Sequence, residues 1–162
     1  MSFRRLLKGT AVFILLVVLH YSVRPLLGAR VTMDFLVIAV LLLSVRMRPG
    51  AAALLGFFSG LVADSLAPLS FGAGALALAL LGYGASWLKA VFFADNVLLH
   101  AIFFFVGKWA YDVLYLVAER RIDLGSLPGQ LLVWSPLSAL ATALAGVVII
   151  VLFRTTLEPQ PA

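Results

Sequence analysis

Ala52, Gly56, Gly60 and Asp64 recur at strict four-residue spacing inside the apolar stretch from Arg46 to Trp87. On a helix this spacing places all four in one column on one face. Three small residues and a carboxylate suit a surface that meets other helices. Small side chains let backbones approach closely, and a charge is disfavoured against lipid. The rest of the chain is readable as helices packed around that column.

The solvent for such a bundle follows from composition. Of 162 residues, 64% are hydrophobic and only 12% charged, whereas soluble domains carry about 25% charged and roughly half apolar residues. A soluble fold of this size has no interior for so much apolar surface, so a lipid bilayer and a single membrane domain over residues 1–162 are expected. The net charge of +5 does not imply a nucleic-acid partner. The basic residues sit mainly at the ends of apolar segments, where they set orientation. The absence of cysteine excludes disulfides, thiol nucleophiles and thiolate metal sites.

The expected fold is an all-α integral membrane protein, a bundle of six transmembrane helices at about 6–27, 31–45, 51–66, 71–88, 96–117 and 131–153, with a loose tail over 155–162. Arg4, Arg5 and Lys8 followed by an apolar run resemble a signal peptide. Leu27-Gly28-Ala29 makes a poor cleavage site, however, and Arg24-Pro25 intervene, which favours an uncut first helix. The apolar run from Asp34 to Val45 covers only roughly 18 Å as a helix, against a hydrocarbon core of ~30 Å. That helix must begin near Val31, tilt, or be shielded by its neighbours, and Asp34 is placed to cap its first turn. The fourth segment is rich in Gly and Ala, which adds Gly74 and Gly82 to the packing set. Its Ala-Leu alternation from Ala73 to Leu80 changes size and not polarity, so it is not a membrane strand. Phe93-Ala94-Asp95-Asn96 reads as a cap entering the fifth helix, and Trp134 as an interface anchor at the start of the sixth. Arg4, Arg5, Lys8, Arg46, Arg48, Lys89 and Arg154 fall on the amino-terminal side of the bundle, and Arg24, Arg30, Arg120 and Arg121 on the other. That imbalance predicts both termini in the cytoplasm.

An acid inside a membrane segment is a functional candidate that needs a partner. Asp64 is satisfied by water or a loop N–H near the helix end, or it contacts a partner, a ligand or a proton. On the fifth helix His100, Lys108, Tyr111, Asp112, Tyr115 and Glu119 fall within a sector of about 120°, a polar stripe on an otherwise apolar rod. Lys108 and Asp112 stand at i,i+4 and predict an internal ion pair. A cross-helix pairing of Lys108 with Asp64 is the sharper alternative. His20, beside Tyr21, Ser22 and Arg24, reads as an interface residue. Gly72 to Ala77 formally fits a dinucleotide fingerprint but follows a loop and not a strand, so the match is chance. No Ser-His-Asp set, P-loop, HExxH motif or hydrolytic carboxylate pair is present, and no enzyme activity, metal or cofactor is expected.

The succession Asp34-Phe35-Leu36, Arg48-Pro49-Gly50-Ala51, Gly56-Phe57-Phe58-Ser59-Gly60-Leu61-Val62-Ala63-Asp64, Pro68-Leu69, Phe71-Gly72 and Leu81-Gly82-Tyr83 resembles the rod shape-determining protein MreD family. Length, helix count and the short second helix agree with it, while the carboxy-terminal half agrees only in hydropathy. Met33 stands where many members have proline. The resemblance implies a non-enzymatic inner-membrane scaffold of the bacterial cell-elongation machinery, helping to control cell shape and peptidoglycan synthesis. Its implied partners are MreC, MreB, RodA and a class B penicillin-binding protein. The implied fold is similar to the substrate-binding subunits of energy-coupling-factor vitamin transporters. In this reading Ala52, Gly56, Gly60 and Asp64 form a packing column, facing either a partner helix or the protein's own core.

Two readings of other classes stand beside it. A vitamin-type uptake subunit needs a polar ligand pocket and a small-residue motif on its first helix, which here has only Gly9 and Ala11. An ion-coupled transporter would use Asp64, Lys108 and Asp112 as a relay and would carry inverted repeats, and none is evident.

Overall fold

The computed structural model describes residues 3–23, 33–66, 70–88, 96–119 and 129–157. Among these the chain is all-helical, with six α-helices: α1 Phe3–Val23, α2 Phe35–Ser44, α3 Pro49–Asp64, α4 Ala73–Trp87, α5 Val97–Glu119 and α6 Ser135–Leu157. The expected cap residues Phe93 to Asp95, the loop 120–128 and the end of the tail lie outside the described residues, as do the side chains of most of the orienting basic residues.

The expected short second helix is shorter still, ten residues from Phe35 to Ser44. It is the centre of the molecule. All of its residues except Leu43 are buried, and α1, α3, α4, α5 and α6 all pack against it. A helix apolar on every side is stable only when covered on every side, and that answers how a rod of roughly 15 Å is accommodated. Phe35, Val37, Ile38, Val40, Leu41 and Leu42 form one cluster with Leu16 of α1, Leu78 of α4, Phe104 of α5 and Ala143 of α6.

Helices α3 and α4 form a tight antiparallel pair. The buried residues of α3 are Ala52, Gly56, Gly60 and Asp64, the four residues of the column. A Cβ at Gly56 would overlap the Leu78 carbonyl, and one at Gly60 would overlap the Ala75 Cα and the Gly74 carbonyl. From the other side, a Cβ at Gly82 would lie 2.5 Å from the Ala52 carbonyl oxygen. The column therefore faces the protein's own fourth helix. Gly107 and Gly146 do the same elsewhere, making room for Leu41 and for the Phe104 ring.

A π-helical turn, Gln130–Trp134, leads into α6. Pro136 supplies the physical reason. Proline lacks an N–H and its ring presses on the carbonyl four residues back, so the turn before it widens. Two segments, Val97–Glu119 and Gln130–Leu152, are long and apolar enough to cross a membrane. The outward faces carry large apolar side chains on every helix except α2, among them Ile14, Phe58, Leu76, Val106 and Leu144.

Candidate functional site

The buried polar residues collect in one half of the bundle, the end where α1 and α3 finish and α2, α4 and α6 begin. Two separate constellations occupy it.

The first belongs to Asp64. Its Oδ2 accepts hydrogen bonds from the backbone N–H of Gly72 at 2.9 Å and of Ala75 at 3.0 Å. Asp64 thus caps the start of α4 from the end of α3, taking donors that have no partner within their own helix. Gly72 makes the geometry possible, since its φ of +96° lies in the left-handed region that glycine tolerates best. Gly74 serves the same contact, because a Cβ there would collide with the Asp64 carboxylate. Of the alternatives open for Asp64, the structure shows satisfaction by loop and helix N–H groups.

The second constellation is centred on Lys108, which is buried against α2 and α6. Its ammonium lies 3.1 Å from Asp34 Oδ2 and 2.5 Å from Asp112 Oδ1. The expected i,i+4 pair with Asp112 is thus present. The cross-helix partner is Asp34 and not Asp64, which corrects the sharper alternative. The reason is geometric: Asp64 is engaged at the tip of α3 by α4, while Asp34 enters the bundle at the start of the central helix. The expectation that Asp34 caps α2 is corrected too. Asp34 occupies the N-cap position, but its side chain makes no cap hydrogen bond; its carboxylate is turned to Lys108 and to His20, whose Nδ1 lies 3.3 Å from Asp34 Oδ1. A buried ammonium is the stronger claim on a carboxylate, because an unpaired charge there is far costlier than an unbonded helix N–H.

Neighbouring groups complete the cluster. Ser135 Oγ donates to Asp112 Oδ2 at 2.6 Å, and the Asp34 N–H donates to Thr142 Oγ1 at 3.1 Å. The Lys108 ammonium sits 4.9 Å from the centre of the Tyr111 ring, within cation–π range. Side chains from α1, α2, α5 and α6 are thereby joined through one ammonium and two carboxylates.

No family model, curated protein or solved structure matches the chain. Its chemistry is read from the geometry alone.

The expected stripe on α5 divides. Lys108, Tyr111 and Asp112 belong to the cluster, and Tyr115 donates from its hydroxyl to Ser70 Oγ at 2.7 Å, next to the α3–α4 connection. His100 is half-buried and stands two turns from Lys108, about 12 Å along the axis, apart from the cluster. His20, read from sequence as an interface residue, is instead buried beside Asp34. Ser135, Ser138 and Thr142, all buried, went unread. Their i, i+3, i+7 spacing on an apolar helix was the available signal. Asn96, the described end of the expected cap, accepts the Leu98 N–H at 2.9 Å. Among the described residues no group of three or more His, Asp or Glu is placed to hold a metal ion.

Proposed function

We propose that this protein is a multi-pass inner-membrane scaffold of the bacterial cell-elongation complex. The observation that carries the membrane part is the inversion of polarity. Lys108 and Asp64 are 4% and 3% exposed, whereas Phe58 and Leu66 are 60% and 68% exposed. In water this arrangement forfeits the hydrophobic effect and strips the charges of hydration; in hydrocarbon it satisfies both.

The scaffold part rests on the resemblance to the MreD family and on where its residues lie. Gly56, Gly60, Asp64, Gly72 and Gly82 all contribute to the α3–α4 contact, and Asp34 to the junction of α1, α2 and α5. These are residues that hold a shape, with each ion paired inside the fold. In this reading MreC is the direct partner, MreB, RodA and a class B penicillin-binding protein are its wider company, and both termini are cytoplasmic. The partner helix meets the outward apolar faces, because the small-residue column is already filled by α4.

Co-expression with MreC and purification in mild detergent tests this. A stoichiometric complex in size-exclusion chromatography, weakened by bulky-to-small changes on an outward face such as Phe57→Ala with Phe58→Ala, is the expected result. A folded chain in the membrane fraction that never retains MreC would remove the scaffold reading.

A further inference from the structure

One place on the apolar exterior is neither flat nor wholly apolar. A shallow groove between α1 and α2, about 250 Å³ counting its open side, is lined by Gly9, Val12, Leu16, Ala39, Leu42 and Arg46, among others. Gly9 creates it. A Cβ there would stand 3.5 Å from Leu43 Cδ2, an ordinary contact, so the space exists because the side chain is absent. The two helices run antiparallel, with Gly9 opposite Leu43, which puts Arg46 at the end of the groove nearest the amino terminus of α1.

That end is electropositive by sequence. Arg4, Arg5, Lys8, Arg46 and Arg48 gather there, and no acidic residue occurs in 1–33 or 35–63. Arg46 is partly buried, and the loss of water holds its pKa below the usual guanidinium value. It stays charged all the same, because even a lowered guanidinium pKa remains far above neutrality. A cation short of water gains most from an anion. The fold already engages Arg46, and a guanidinium with five donors has capacity beyond one partner.

We propose that the α1–α2 groove holds one acyl chain of an anionic phospholipid, with the lipid phosphate on Arg46. This rests on the membrane reading above. The apolar walls select a hydrocarbon chain, and the guanidinium at one end selects a phosphate without a compensating cation.

The test is native mass spectrometry of the full chain in mild detergent, offered equal phosphatidylglycerol and phosphatidylcholine. One phosphatidylglycerol should be retained in preference to phosphatidylcholine. Arg46→Gln should lower that retention roughly tenfold, as expected for loss of a charge-assisted contact. Gly9→Leu, which fills the groove from α1, should lower it as much. Arg46→Lys, which keeps the charge, should restore part of it and guards against Gly9→Leu failing to fold. Equal retention of both lipids, or retention unchanged by Arg46→Gln, overturns the proposal; so does a groove that captures a co-purifying protein in place of lipid. A chain absent from the membrane fraction would instead overturn the membrane reading itself.

Discussion

Asp64 and Lys108 differ in what their removal exposes. Asp64→Ala strips two backbone donors at the start of α4 of their acceptor, and loss of such a cap costs about 1–2 kcal/mol. A lower melting temperature in detergent is the expected reading, with Asp64→Asn in between because its amide oxygen still accepts. Unchanged melting for Asp64→Ala would mean that the cap contributes nothing. Lys108→Met is harsher, since it leaves Asp34 and Asp112 buried without their shared cation, and breaking a buried pair from one side costs about 3–5 kcal/mol. A double-mutant cycle separates the two acids. Lys108→Met should couple with Asp34→Asn by roughly 0.5–3 kcal/mol and add independently with Asp64→Asn. Coupling to Asp64 in place of Asp34 would contradict the observed geometry.

Among the elements, the α3–α4 pair is the most constrained, because backbone meets backbone there. Gly60→Ala asks a methyl to occupy the space of the Ala75 Cα, and no rotamer relieves a clash with main chain. The helices must separate, at a cost in the range of about 1–3 kcal/mol or more seen for overpacked cores. Gly84 is the internal control. It lies on the same α4 helix, exposed, with nothing within 4 Å of the place a Cβ would take, so Gly84→Ala should be neutral or stabilising by up to about 1 kcal/mol. Thermal unfolding of the two variants side by side decides the matter, and equal effects would place the tight contact elsewhere. A consequence for partner mapping follows: a bulky residue at Gly60 disrupts the fold before it reports on any docking surface.

For the whole molecule, the chain's lack of cysteine makes topology directly measurable. Arg48, after α2, and Ser65, after α3, are both exposed and lie at opposite ends of α3. With cytoplasmic termini, Ser65→Cys should react with a membrane-impermeant maleimide on intact cells. Arg48→Cys should react only after the cells are opened. The reverse pattern would invert the orientation read from the basic residues.

The sequence by itself determined what depends on composition and local periodicity. The all-helical class, the six helices and the short second one were legible because apolar run length and turn residues act over a few positions. So was the column Ala52, Gly56, Gly60 and Asp64, because i,i+4 spacing fixes a shared face whatever that face meets. The Lys108–Asp112 pair was legible for the same reason. Only the tertiary structure decided what each face meets. That the column packs on α4, that Asp64 caps that helix, and that Lys108 chooses Asp34 at a separation of 74 residues all depend on helices being brought together in space. His20, Ser135 and Thr142 joined the cluster for that reason as well. Pairing between distant segments is settled by how all the helices fill the bundle at once, and buried charges then take whichever partner that packing brings within reach.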